Sequence, residues 1–391
     1  MKQTIIDLGM HPYADTFISE DQLGMSEPVY PLQCQLDTES GLVSLVHETD
    51  SDDRYNLYDY SYTSANSKVS REHWNSFADS VSSNIFGKNF GSVLEIGSND
   101  GYLTKQFQNK GHEVLGVDPS KKMCEIANEK NIDTICSLFS YDVIPSGKKF
   151  DLVIANNVFN HANDPLDFAT GVEKVLAENG TFVFEVPYWY NTIKDKRFDQ
   201  IYHEHVSYFT VKSAKKLLKK AGLVVYDVEW VDYHGGSIRV FASRMPSIST
   251  TPNSFIDLEE KEGLFSKERY VRFMDDIKTA RADFLQQIYA KKKLGSPVVA
   301  VGAAAKGNTF LNFYNLDSTV LDYVTDMSEH KIGKYTPLTR IPILEDKVVF
   351  DKYDNVYVII LSWNISELLK EKLKKISKAK ITFLDMQEKV K

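Results

Sequence analysis

Short apolar runs alternate with amphipathic stretches along most of the chain. Val93-Leu94-Glu95-Ile96, Val114-Leu115-Gly116-Val117, Phe150–Asn157 and Thr181–Pro187 have the length and density of buried strands. Between them, Tyr102–Phe107 and Pro165–Leu176 carry the helical period, the latter stopping at Asn179-Gly180. Strands alternating with helices predict a parallel, doubly wound α/β sheet. Val69, Trp74, Phe77, Val81 and Ile85 recur at helical spacing and predict a helix over 70–85. A further helix is expected from Val211 to Ala221, ending at Gly222. Leu223–Val231 and Ser237–Ser243, joined by Asp232-Tyr233-His234-Gly235-Gly236, predict an antiparallel hairpin closing the sheet.

After a Ser/Thr/Pro linker at Pro246–Pro252 comes a long amphipathic helix, Leu264–Lys293. Pro297–Gly307 then starts a second strand–turn–helix unit, with strands at 321–326 and 356–361. The first 80 residues show little regular pattern beyond a strand at 41–46, a loop at 50–53 and four tyrosines, Tyr55, Tyr58, Tyr60 and Tyr62. The expected division is an N-terminal module (1–80), a central Rossmann-like domain with an added hairpin (81–245) and a smaller Rossmann-like α/β domain (246–391).

Composition narrows the function classes. At 391 residues the chain is long enough for two or three domains. A net charge of −8 offers no basic field for general nucleic-acid binding. No run of about 18 apolar residues suggests a membrane span, and Met1–Leu8 lacks a signal-peptide stretch. Cys34, Cys124 and Cys136 are isolated and form neither a disulfide framework nor a metal motif. A reduced, cytoplasmic setting is the default expectation.

The chemistry starts at Glu95-Ile96-Gly97-Ser98-Asn99-Asp100-Gly101, between a strand and a helix. Strand, glycine turn, helix, strand and the acid Asp118 make a nucleotide-binding βαβ layout. The spacing is not G-x-G-x-x-G, and acids at Glu95 and Asp100 would repel a pyrophosphate. They suit a cationic ligand without phosphates, so S-adenosylmethionine is favoured over a dinucleotide. Glu95, Gly97, Asn99, Gly101, Asp118 and Asn156 are its expected contacts, with Asp118 on the ribose hydroxyls; the plain alternative for Asp118-Pro119 is a turn after a strand.

Four segments together resemble the sugar C-methyltransferase family: Glu95–Gly101, Asn156-Asn157-Val158-Phe159-Asn160-His161, Tyr202-His203-Glu204-His205-Val206-Ser207-Tyr208-Phe209, and Gly302-Ala303-Ala304-Ala305-Lys306-Gly307-Asn308-Thr309. The resemblance spans nearly the whole chain, and Tyr-x-Glu-His is its most specific part. It implies S-adenosylmethionine-dependent methylation of a nucleotide-linked 4-keto-deoxysugar, in deoxysugar biosynthesis. It implies His205 as base, with Tyr202, Glu204, Asn157, His161 and a lid tyrosine, Tyr60, around the sugar. Tyr62, Tyr188, His203, Lys306 and Asn308 are the expected substrate contacts, Lys306 and its turn meeting the diphosphate, with Asp326, Lys331 and Trp363 bordering the same crevice. The family also implies an N-terminal zinc module built on Cys-x-x-Cys pairs. Here Asp37 and Ser40 stand where cysteines would be, so zinc is not expected, and packing around Leu42, Leu45 and the tyrosines is expected to stabilise the module instead.

A proton beside a ketone has a pKa on the order of 20 against about 6.5 for histidine, a gap of roughly 13 units or ~18 kcal/mol. Closing it takes donors on the enolate oxygen and a dry pocket. Without the resemblance, His203 and His205 read first as loop histidines bonded to backbone, with a metal-binding pair the lesser alternative, and the plain reading of Lys306 is part of a Rossmann-like turn. An O- or N-methyltransferase on a related nucleotide sugar, and a non-catalytic nucleotide-sugar-binding protein, are the alternatives. The expected partner is the sugar nucleotide, with the chain a monomer or small homo-oligomer.

Overall fold

The computed structural model describes residues 1–50, 54, 67–245 and 249–385. Strands β1 (Lys2–His11), β2 (Tyr30–Asp37) and β3 (Val43–Leu45) open the chain. The central part runs α1 (Lys68–Phe86), β4 (Ser92–Ile96), α2 (Tyr102–Asn109), β5 (Glu113–Asp118), α3 (Lys121–Glu129), β6 (Thr134–Cys136), β7 (Phe150–Asn156), α4 (Pro165–Val175) and β8 (Leu176–Pro187). It continues with α5 (Trp189–Lys194), β9 (Ser207–Tyr208), α6 (Val211–Lys220), β10 (Val224–Val231) and β11 (Ser237–Ser243). The last third holds α7 (Thr251–Lys261), α8 (Lys267–Lys293), β12 (Val298–Val301), α9 (Ala305–Tyr314), β13 (Tyr323–Asp326), β14 (Ile343–Glu345), α10 (Asp346–Phe350), β15 (Asn355–Ile360), α11 (Ser366–Ile376) and β16 (Lys380–Leu384).

The central sheet has the order β10-β11-β8-β7-β4-β5-β6. Its strands from β8 to β6 are parallel, and β11 and β10 add as the expected antiparallel pair. Leu152, Val153, Ile154 and Ala155 of β7 are all fully buried, because helices cover both faces. The order reverses at β4, flanked by β5 and β7, and the carboxyl ends there form the crevice where open α/β sheets bind ligands. The C-terminal sheet, β14-β13-β12-β15-β16, is parallel throughout and has the same reversal at β12.

Several expectations need correction. The irregular-looking N-terminal unit is a four-stranded antiparallel sheet, β1-β2-β3-β9. Leu32, Cys34 and Leu36 alternate inward along β2 and are fully buried. The fourth strand, β9, comes from the aromatic Tyr202–Phe209 segment and pairs Tyr208 with Val43. Asn179-Gly180 does not end a helix but lies in β8; a Cβ at Gly180 would sit 2.8 Å from the Phe150 carbonyl oxygen, so the strands approach closely there. Part of the supposed linker is the first turn of α7, where Pro252 lacks only an N–H that a helix start leaves unpaired anyway.

Helix α1 is capped by Ser67, whose hydroxyl accepts from the Ser70 N–H at 3.0 Å. Trp74, Phe77, Ala78 and Val81 pack with Val93, Leu103, Phe107 and Leu152, so the helix goes with the central sheet. Val69, in its first turn, is 42 % exposed rather than part of that face. At the tip of the N-terminal sheet the Ser40 hydroxyl donates to Asp37 (2.8 Å). Leu45 is buried in the sheet's core, while Leu42 packs toward the central domain. Among the described residues no group of three or more His, Cys, Asp or Glu side chains is placed to hold a metal ion, and no helix is long and apolar enough to cross a membrane.

Candidate active site

A cavity of about 310 Å³ opens at the carboxyl ends of β4, β5 and β7. Gly97 (φ +71°) turns the chain out of β4, and a Cβ there would fall 2.1 Å from Val158 Cγ2. Asp118 ends β5, its carboxylate accepting from the Asn99 and Ser120 N–H groups, both at 2.9 Å. Glu95, Gly97, Asn99, Asp118 and Asn156 line the cavity, together with Asn157 and His161. Leu138, Phe139 and Phe168 supply an apolar end.

Gly101 and Asp100 are not in that lining. Gly101 (φ +74°) starts α2, and a Cβ there would lie 3.1 Å from Ala127, so the glycine serves close packing. Asp100 turns to Lys130 in an ion pair at 3.0 Å. Of Glu95 and Asp100, it is Glu95 that lines the cavity, accepting from the Thr104 hydroxyl. Burial, with Asp100 and Asp118 nearby, pushes its carboxyl up to about 8.

Among the described residues neither side-chain polar atom of Asn156 finds a hydrogen-bond partner, nor does Asn157 Oδ1, Ser98 Oγ or Trp74 Nε1. Buried polar groups in folded proteins are normally paired, so this lining fits a polar ligand. A cationic one would convert Glu95 to carboxylate. Its binding should therefore release a proton at pH 6–7.5, and its affinity should rise with pH up to about 8. Calorimetry in buffers of different ionisation enthalpy measures this; equal proton release by Glu95→Gln and the unaltered protein would refute it.

On the acceptor side, the His205 Nδ1–H donates to the Gln200 carbonyl (3.0 Å), leaving Nε2 to accept from the Tyr202 hydroxyl (2.6 Å). The His161 ring lies 5.0 Å from the His205 ring and joins it to the cavity. Burial, then His161, Lys306 and His234, hold His205 well below the ordinary histidine range. Burial and the Arg54 guanidinium bring His161 down to about 3. Both imidazoles are neutral at physiological pH.

Other expected residues face elsewhere. Glu204 accepts from the Asp15 N–H (3.3 Å) and so does not orient His205; burial and Asp15 push it up to about 7. His203 packs edge-on against Tyr13 and Tyr30, in the joint with the N-terminal sheet. The Tyr188 hydroxyl donates to buried Glu259 (2.9 Å). Asn308 donates to the Ala14 carbonyl (2.6 Å). Asp326 accepts from the Ala303 (2.7 Å) and Ser328 (2.8 Å) N–H groups, and Lys331 donates to the Ala303 carbonyl (2.7 Å), so both hold the turn after β12. Tyr60 and Tyr62 lie outside the described residues.

Lys306, in the first turn of α9, sits over the Trp363 ring (5.0 Å), against which the Arg197 guanidinium also lies (3.8 Å). The Trp363 indole donates to buried Asp199 at 2.5 Å. Burial, against the pull of Asp199, brings Lys306 down to about 8. The next residue, Gln200, bridges Thr192 and the His234 carbonyl with its side chain, each at 2.7 Å, while its own carbonyl holds His205. The turn Phe198–Gln200 thus links the C-terminal crevice to His205. Sequence reasoning missed Gln200, Asp199, Arg54 and Trp74. A backbone carbonyl acceptor carries no sequence signal, and Trp74 shows only the helical spacing of a core residue.

Residues 71–228 match a family model described as "Methyltransferase domain", and residues 232–385 one described as "C-methyltransferase C-terminal domain". The C-methyltransferase NovU of Streptomyces niveus is 29% identical over 370 residues, covering 92% of this chain and 87% of that protein. An uncharacterized methyltransferase of Alkaliphilus oremlandii is 33% identical over 134 residues, 33% of this chain and 61% of that protein. Among solved structures, the magnesium protoporphyrin IX methyltransferase of Synechocystis PCC 6803 with bound S-adenosylmethionine is 14% identical, with 45% of this chain and 79% of that chain covered and a TM-score of 0.36.

Proposed function

We propose that this S-adenosylmethionine-dependent methyltransferase, which matches a methyltransferase domain and a C-methyltransferase C-terminal domain and resembles a C-methyltransferase along most of its length, methylates a nucleotide-linked 4-keto-deoxysugar at the carbon beside the ketone. The observation that carries the reading is the His205–Tyr202 pair beside the cofactor cavity. Nδ1–H is fixed on the Gln200 carbonyl, so Nε2 is the basic atom, and the Tyr202 phenol shares it. Glu95, Gly97, Asn99, Asp118 and Asn156 hold the cofactor, which when bound supplies an electrophilic methyl group. His205 takes the proton next to the ketone, directly or through the Tyr202 hydroxyl. Because its basicity is depressed, the enolate oxygen needs strong donors. The Asn157 amide and a Tyr202 phenol re-aimed at the oxygen are residues of that kind, and neutral His161 stands beside them. Lys306 and the first turn of α9 meet the diphosphate.

The test is mass spectrometry of a panel of nucleotide 4-ketosugars incubated with the enzyme and S-adenosylmethionine. A mass gain of one methyl on a ketosugar is the expected product. In deuterated water without cofactor, the same ketosugar should exchange its neighbouring proton in a His205-dependent way. Turnover without such exchange would favour O- or N-methylation.

A further inference from the structure

The order β8-β7-β4-β5-β6 gives the cofactor cavity a direction. Asp118 marks the ribose, at the end of β5. The apolar Leu138 and Phe139, after β6, lie on one side of it and suit an adenine ring. The cofactor's amino-acid end must then run the other way, past Glu95 and Asn156 toward α1. There the charged lining residue is an acid, Glu95, which suits an ammonium group but repels the α-carboxylate. Among the described residues no lysine or arginine lines the cavity.

Trp74 does line it. The side chain is 4 % exposed, and its Nε1–H finds no hydrogen-bond partner among the described residues. An indole N–H can only donate. Its position is fixed from behind. His73 packs edge-on against it (4.6 Å), as do Tyr233 (5.4 Å) and Phe77 (6.1 Å). His73 is itself stacked on Tyr233 (3.8 Å) and bonded to buried Glu185 (2.7 Å). A rigid, uncharged donor thus stands in an acidic cavity at the end where an anion has to be accommodated. We propose that Trp74 is a cofactor-binding residue, its indole N–H donating to the α-carboxylate of the methionine moiety and selecting ligands that carry one.

The test compares two ligands that share the adenosine and thioether but differ in the amino-acid group. Calorimetry on the full chain measures S-adenosylhomocysteine and 5′-methylthioadenosine binding before and after Trp74→Phe. The substitution should weaken S-adenosylhomocysteine about tenfold, ~1.4 kcal/mol, and leave methylthioadenosine within about twofold. Equal loss for both ligands, or no loss for either, overturns the assignment. A second measurement needs no variant that might misfold. In protein with labelled tryptophan, the Trp74 indole N–H resonance should move downfield with S-adenosylhomocysteine and not with methylthioadenosine, and an unmoved resonance overturns the proposal. Failure of the unaltered protein to bind S-adenosylhomocysteine at all would instead count against the cofactor reading itself.

Discussion

Replacing His205 with glutamine should lower turnover by about 10²–10⁴-fold, the range set by losing a positioned general base. The amide can still donate to the Gln200 carbonyl, so the loop should keep its shape. Cofactor affinity should stay near that of the unaltered enzyme, because His205 is not among the residues lining the donor cavity. The pH profile carries further information. Burial and the surrounding cationic and imidazole groups depress His205, so the neutral, active form persists below the ordinary value of 6.5. As pH falls, kcat/KM for the sugar, measured at saturating cofactor, should therefore hold through 6.5 and decline only further down. Steady-state kinetics from pH 4.5 to 8 would show this; near-normal turnover by the variant would remove His205 from the mechanism. Tyr202→Phe tests the phenol: near-normal turnover would mean that His205 takes the proton directly, and loss comparable to the His205 variant would mean that the hydroxyl is needed, as proton carrier or as donor to the enolate oxygen.

The second large effect concerns stability. Arg239 donates to the Glu185 carboxylate through Nε (3.2 Å) and Nη2 (3.1 Å), and through Nη1 to Glu229 (3.0 Å) and Ser80 (3.3 Å). Glu185 is fully buried, at the carboxyl end of β8, with His73 on its other oxygen. Arg239→Met should cost about 3–5 kcal/mol, because it leaves a buried carboxylate without its cation. Adding Glu185→Met should recover most of that loss, since replacing both partners of a buried pair by apolar groups is often neutral. Urea unfolding of the three proteins measures both effects. A double variant no more stable than the single one would show that Glu185 has a further role, such as holding the Trp74 support through His73.

The donor half of the site was legible because its signals are local. Gly97 and Asp118 sit at fixed places in a strand–turn–helix–strand unit, and the geometry of such a unit follows from its own sequence. The hairpin of β10 and β11 was legible for the same reason. The acceptor half depends on which way side chains turn in irregular backbone. Tyr202, His203, Glu204 and His205 are consecutive, yet Tyr202 and His205 bond each other while His203 and Glu204 turn to the N-terminal unit. No periodicity distinguishes them. The N-terminal sheet escaped notice because one of its strands has two residues and lies far along the chain. The helix α7 was hidden by a proline that reads as a breaker but is harmless at a helix start.

The described residues that line the donor cavity fall between Trp74 and Phe168, whereas the turn that orients His205 rests on Trp363. A ribosome delivers these parts in that order. The lining of this cavity is synthesised well before the tryptophan on which the His205 turn rests, so a growing chain has the cavity lining in hand before that turn can be completed.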